Sequence, residues 1–203
     1  MQFARGFKKD CDSIVVNLRA ELGVEDSMPI DMDRLGAYLE IPISSIGEHV
    51  ETLGLDPESE CVSEIYKKTS ALTWFVRHRR HFLYNERHSA PRHRSNLAHE
   101  FAHALLGHPP EAELSREHLR LIENEAKWLG GVLMLSTTEA HRIVSRGLSH
   151  QEVIDRHLLS KEMLTYRINV SGAGKRRRGD FEGFRDLPGP APEGHGRRVS
   201  RPY

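Results

Sequence analysis

The string His99-Glu100-Phe101-Ala102-His103 constrains the fold more than any other part of this 203-residue chain. In a helix, residues four apart differ by about 40° around the axis, so His99 and His103 project from one face and can chelate one metal ion. Glu100 lies beside them, placed to take a proton from a water on that ion rather than to ligate it. The string alone is suggestive only. With 13 histidines and 20 glutamates in the chain, it arises by chance in about 8% of chains of this composition.

Three further features give it weight. The spacers Phe101 and Ala102 and the following Ala104-Leu105-Leu106 are apolar, which suits a buried helix at the floor of a cleft. Two imidazoles need a third partner, and Asn124-Glu125-Ala126 offers a carboxylate 22 residues beyond His103 on the next long helix. A glutamate there completes a two-His, one-Glu set for a single Zn2+ per chain, with a position left open for water. Glu123 lies two residues from Glu125 and so faces about 200° away on the helix; one of the two can point at the metal, and Glu125 is the expected ligand. His108 stands five past His103, beyond a glycine at the helix end, and is the weaker alternative. The longer HExxHxxGxxH pattern fails, because Pro109 occupies its last position. The third feature is a strand, His81 to Asn85, whose edge is expected to hold an extended substrate by main-chain pairing.

Around this centre the patterning predicts an α+β fold, a small antiparallel-edged sheet packed by several helices. Ile14, Val15, Leu18 and Leu22 recur at helical spacing before Gly23, and Asp31 or Asp33 can cap a second helix that ends at Ile41-Pro42-Ile43. Residues 51–60 read as a polar loop. Residues 71–76 and 81–85 read as a hairpin, with Trp74, Phe75 and Trp128 as core. Ser89 to Ser95 reads as a linker into a helix from about Asn96 to Gly107 that Pro109-Pro110 ends. A helix over about 116–135 follows, then a helical pair within about 138–168 whose second part, Glu152 to Arg167, resembles half of a helix-turn-helix. The expected layout is one domain over 1–170, with N-terminal helices within about 10–40, the sheet within about 61–86 and active-site helices at 96–107 and 116–135.

Composition sets the remaining limits. Residues 171–203 hold eight basic against four acidic residues, so the formal charge of zero is the sum of a +4 segment and a −4 body. That segment is rich in Gly and Pro and cannot bury enough apolar surface to offset ordering, so a flexible basic tail is expected. A whole-chain nucleic-acid binder is disfavoured, with Lys175-Arg176-Arg177-Arg178 in the tail as the exception. Cys11 and Cys61 make neither a disulfide framework nor a metal clip and read as free thiols. No signal-peptide region or twenty-residue apolar span is visible, so the chain is expected in the cytoplasm and off the membrane.

HEFAHALLGH followed by ENEAKWLGGVLML resembles the paired signature of the ImmA/IrrE-type metallopeptidases, a zincin group. The likeness extends to the Arg5-Gly6-Phe7-Lys8-Lys9 start, Ala71-Leu72-Thr73-Trp74, the segment from Tyr84 to Ser89, and Ser160-Lys161-Glu162-Met163 with Tyr166-Arg167, about residues 5–170. Lys127 departs from it, where the family often has Asn or Asp, and Leu129, where it often has Phe. The resemblance implies a zincin-like metallopeptidase core, with His99, His103 and Glu125 as zinc ligands and Glu100 as general base. It also implies a cytoplasmic bacterial or phage-related zinc protease that cuts or inactivates a helix-turn-helix repressor, encoded nearby, to release gene expression. Tyr84, His88 and Arg94, with His93, lie upstream near the helix mouth as candidates for binding substrate, although ordinary surface polar residues have the same look. The alternative is a non-catalytic shell of this fold that senses or sequesters a transcription factor.

Overall fold

A computed structural model describes residues 3–76, 79–110 and 114–174. Their elements, in order, are α1 (Phe7–Glu21), α2 (Met32–Tyr38), β1 (Ile43–Ser45), α3 (Ile46–Thr52), α4 (Glu60–Lys68), β2 (Ala71–Val76) and β3 (Arg79–Tyr84). After them come α5 (Ala90–Leu105), α6 (Arg116–Met134), α7 (Thr137–Arg146), α8 (His150–His157) and α9 (Lys161–Val170). The fold is α+β. Of the expected tail only residues 171–174 are described, and there Ala173 is buried; the rest, with its basic run, lies outside the described residues. Cys11 is buried and Cys61 exposed, both free thiols. Among the described residues no helix is long and apolar enough to cross a membrane.

The sheet is mixed, in the order β1-β3-β2, with β1 parallel and β2 antiparallel to the central β3. Its strands separate two apolar clusters by the alternation of side chains along a strand. Phe82 joins the main cluster, where its ring meets Phe101 of α5 edge-on at 4.9 Å, while Leu83 turns to the other face and packs with Ile46, Val50 and Val62 of α3 and α4. Burying a phenylalanine such as Phe101 contributes about 2–3 kcal/mol, enough to fix the sheet on α5. Thr73 lies opposite Phe82, and Phe75 opposite Arg80. These four therefore share the sheet face that covers α5.

Several expectations change here. The strand read as an exposed edge, His81 to Asn85, falls on β3 as far as Tyr84, and β3 is paired on both sides; among the described residues the outer strands of the sheet are β1 and β2. Trp74 and Phe75, expected in the core, are half exposed, whereas Trp128 is buried. The polar loop at 51–60 ends in the cap of α4, where Ser59 accepts a hydrogen bond from the Val62 amide. Pro91 sits at the first turn of α5 and not in a linker, because a proline lacks an amide hydrogen that a first turn does not use. Arg167, the last residue of the segment likened to half of a helix-turn-helix, is fully buried and donates from Nε to the Leu135 carbonyl.

Candidate metal and catalytic site

α5 and α6 cross closely because Gly130 has no side chain. A Cβ there would lie 3.1 Å from the Ala98 carbonyl oxygen and 3.3 Å from His99 Cα, tighter than packed atoms tolerate without shifting. Seven residues span about 700°, so Glu123 and Gly130 lie within about 20° of each other on α6. The flank that touches α5 at Gly130 therefore carries Glu123 two turns earlier. Glu125 falls about 160° away from Glu123, on the other side of the buried stripe of Ile122, Ala126, Leu129 and Leu133.

The observed contacts follow that geometry. Glu123 Oε2 is 3.3 Å from His99 Nε2, Glu123 Oε1 is 3.2 Å from His103 Nε2, and the two Nε2 atoms are 3.1 Å apart. Hydrogen bonds from His103, then His99, hold the Glu123 carboxyl well below the usual carboxylate range. These three residues form the metal-competent group of the described residues. A tetrahedral zinc with bonds of about 2.0–2.1 Å keeps its ligand atoms about 3.3 Å apart, so the donor types and their spacing fit that ion. The side chains are 27% exposed at His99, 13% at His103 and 36% at Glu123, which leaves the group reachable from solvent.

The expected third ligand, Glu125, points elsewhere: its Oε2 lies 3.2 Å from His108 Nε2. His108 is brought there by the end of α5. Gly107 takes the left-handed conformation at φ 66°, the His108 amide bonds to the His103 carbonyl and the Gly107 amide to that of Ala104. This pair of bonds is a Schellman motif, which sets the residue after the glycine against the one five before it. The rings of His103 and His108 consequently meet at 4.9 Å, with 3.0 Å between their Nδ1 atoms. Burial, followed by the nearby His103, lowers the His108 pKa.

Glu100 is held from the sheet. Thr73 Oγ1 donates to Glu100 Oε2 at 2.5 Å, so the hydroxyl hydrogen is committed to a carboxylate that must act as acceptor. Arg80 donates from Nη2 to the His108 carbonyl at 2.6 Å, and its guanidinium stands 5.2 Å from the Phe75 ring centre. Burial lowers the Arg80 pKa, with the charge of Glu100 opposing. Sequence reading missed Thr73 and Arg80; their signal is the alternation that puts both on the face of Phe82.

Arg94, Tyr84 and His93 of the upstream candidates have other partners. Arg94 is buried and donates from Nη1 to the Ile30 carbonyl at 2.6 Å, so it faces the segment between α1 and α2 and not a substrate. Burial pulls its pKa down to about 10. The Tyr84 ring meets that of His93 at 5.1 Å, and His93 Nε2 donates to the Asn85 carbonyl. His88 Nδ1 is buried without a hydrogen-bond partner, and burial lowers its pKa.

A comparison with curated proteins returns no match. Residues 63–169 match the profile of a peptidase family described as the IrrE N-terminal-like domain. That span runs from α4 through α9, holds every residue of the site just described and covers more than half of the chain, which therefore belongs to this family and carries its metallopeptidase-like domain.

Proposed function

We propose that this protein is a zinc-dependent endopeptidase in which His99, His103 and Glu123 hold one ion and Glu100 is the general base. The observation that carries the reading is the convergence of two imidazole Nε2 atoms and one carboxylate at 3.1–3.3 Å on a solvent-reachable face. Zinc bound there would supply Lewis-acid polarisation of a scissile carbonyl and a more acidic water.

The chain's own residues account for the rest. Glu100, one position from His99, keeps one carboxylate oxygen on Thr73 and leaves the other to take a proton and pass it to the leaving amine. The free edge of β2 offers backbone groups beside Thr73, and an extended peptide pairing there would lie over Glu100. Half-exposed Trp74, Phe75 and Val76 continue that edge and favour apolar side chains in the substrate.

The resemblance to the ImmA/IrrE group supports a helix-turn-helix repressor as the protein cut, and cytoplasmic action within a catalytic domain over 1–170. The sensor alternative draws on the helix-turn-helix likeness of Glu152 to Arg167, and the burial of Arg167 takes one basic residue of that segment away from any phosphate-binding face. The test is incubation of the zinc-loaded full chain with candidate helix-turn-helix repressors, starting with any encoded in the neighbouring genes. Glu100→Gln is expected to keep its zinc and lose cleavage at least about 100-fold. Undiminished cleavage by that variant overturns the assignment of the base.

A further inference from the structure

We infer that Glu125 and His108 form a relay behind the metal-binding face, fixing which nitrogen of His103 carries hydrogen and thereby setting the affinity of the site. The inference rests on the zinc site proposed above. It follows from counting hydrogens along one chain of contacts.

His103 turns Nε2 toward His99 and Glu123, so Nε2 must present a lone pair to a metal, and the single hydrogen of the neutral ring must sit on Nδ1. That Nδ1 is 3.0 Å from His108 Nδ1. Two nitrogens at this distance share one hydrogen, so His108 Nδ1 accepts. A neutral His108 then carries its own hydrogen on Nε2, which is 3.2 Å from Glu125 Oε2, a group able to accept it. Each link leaves the next one choice, and the chain ends on a carboxylate.

The surroundings hold the relay in register. The Schellman motif places His108 against His103 through backbone bonds, Arg80 anchors the His108 carbonyl, and the side chains of His108 and Glu125 are 7% and 18% exposed. Water competes poorly for such contacts. A carboxylate acting through an imidazole on a metal-bound imidazole keeps that ring oriented and makes it a better donor; losing such a partner typically weakens metal binding by about 10–100-fold. Glu125 and His108 are thus positioning residues, and two glutamates of α6 divide the work: Glu123 faces the metal position and Glu125 faces its support.

The test measures zinc affinity of the full chain by competition with a colorimetric chelator, in wild type, Glu123→Gln, Glu125→Gln, His108→Phe and the Glu125→Gln/His108→Phe double variant. Glu125→Gln is expected to weaken zinc by about 10–100-fold, His108→Phe by a similar factor, and the double variant by no more than the larger single loss. Glu123→Gln is expected to weaken it far more. Unchanged affinity in Glu125→Gln overturns the relay, as does a loss as deep as that of Glu123→Gln, which would make Glu125 a ligand. Failure of wild type to bind zinc instead overturns the metal reading itself. Long-range proton–nitrogen correlation spectra of the zinc-loaded wild type read the same claim without a variant: hydrogen on His103 Nδ1 and on His108 Nε2 is expected, and hydrogen on His108 Nδ1 contradicts it.

Discussion

Helix α5 serves two clusters of charged and imidazole side chains whose nitrogens do opposite things. In its first half, Arg94 joins Arg19, His157 and Glu139 in the interior, each less than a tenth exposed. There the guanidinium groups spend hydrogens on backbone oxygens, Arg19 on those of Glu25 and Met28 and Arg94 on that of Ile30. The segment between α1 and α2 is stitched to the core by these bonds. Two turns on, His99 and His103 stand on the solvent-reachable side, and their Nε2 atoms converge with a carboxylate at a spacing that lets all three present lone pairs to a metal. A guanidinium has no lone pair to give. Charged groups in a cluster therefore do not by themselves mark a site; convergent acceptors with an open approach do.

The contrast can be broken most forcefully on the buried side. Arg167, also fully buried, bonds to Leu135 and Thr137 and lies 5.8 Å from the Trp128 ring. Arg167→Ala leaves a void and an unpaired carbonyl, and urea denaturation is expected to show a loss of about 3–5 kcal/mol. A loss under about 1 kcal/mol would mean the buried cations are not structural.

Next in size is the pH dependence of the same interior. Burial pushes His157 down to about 4, with Arg94 and Arg19 adding to the effect and Glu139 opposing it. The unfolded imidazole takes its proton near pH 6.5, and the folded one resists until about pH 4. Its contribution is therefore complete above pH 6.5 and lost as pH falls toward 4, about 3 kcal/mol in all. Denaturation of the metal-free protein across that range should show the slope, and His157→Gln should flatten it. An equal slope in both proteins would remove His157 as its source.

On the open side the effects are smaller for the fold and fall on activity. Thr73→Val deletes the donor to Glu100 and is expected to lower kcat about tenfold with little change in KM, while Thr73→Ser restores it. Equal loss in both variants would assign Thr73 to packing alone.

What could be read in advance follows from which interactions are local. The helices α5 and α6, their order and the two histidines follow from spacing within a few turns. β1 is three residues after Pro42 and forms only because β3 pairs with it in parallel, so no local period announces it. The choice between Glu123 and Glu125 was recognisable as a choice, because 200° separates them, but its direction depended on the crossing of two helices. Gly130 is the residue that carried this information: the flank without a side chain is the flank that touches α5. Spacing offers His108, five residues past His103, only as a weaker alternative ligand. The left-handed turn at Gly107 instead places it behind that ring.

The central claim is that Glu123, and not Glu125, completes the site with His99 and His103. Anomalous diffraction at the zinc edge from zinc-loaded crystals of the full chain tests it directly. One peak is predicted about 2.0–2.2 Å from His99 Nε2, His103 Nε2 and a Glu123 carboxylate oxygen, with Glu125 still on His108. A peak bonded to Glu125, or no peak between the two histidines, would contradict the account.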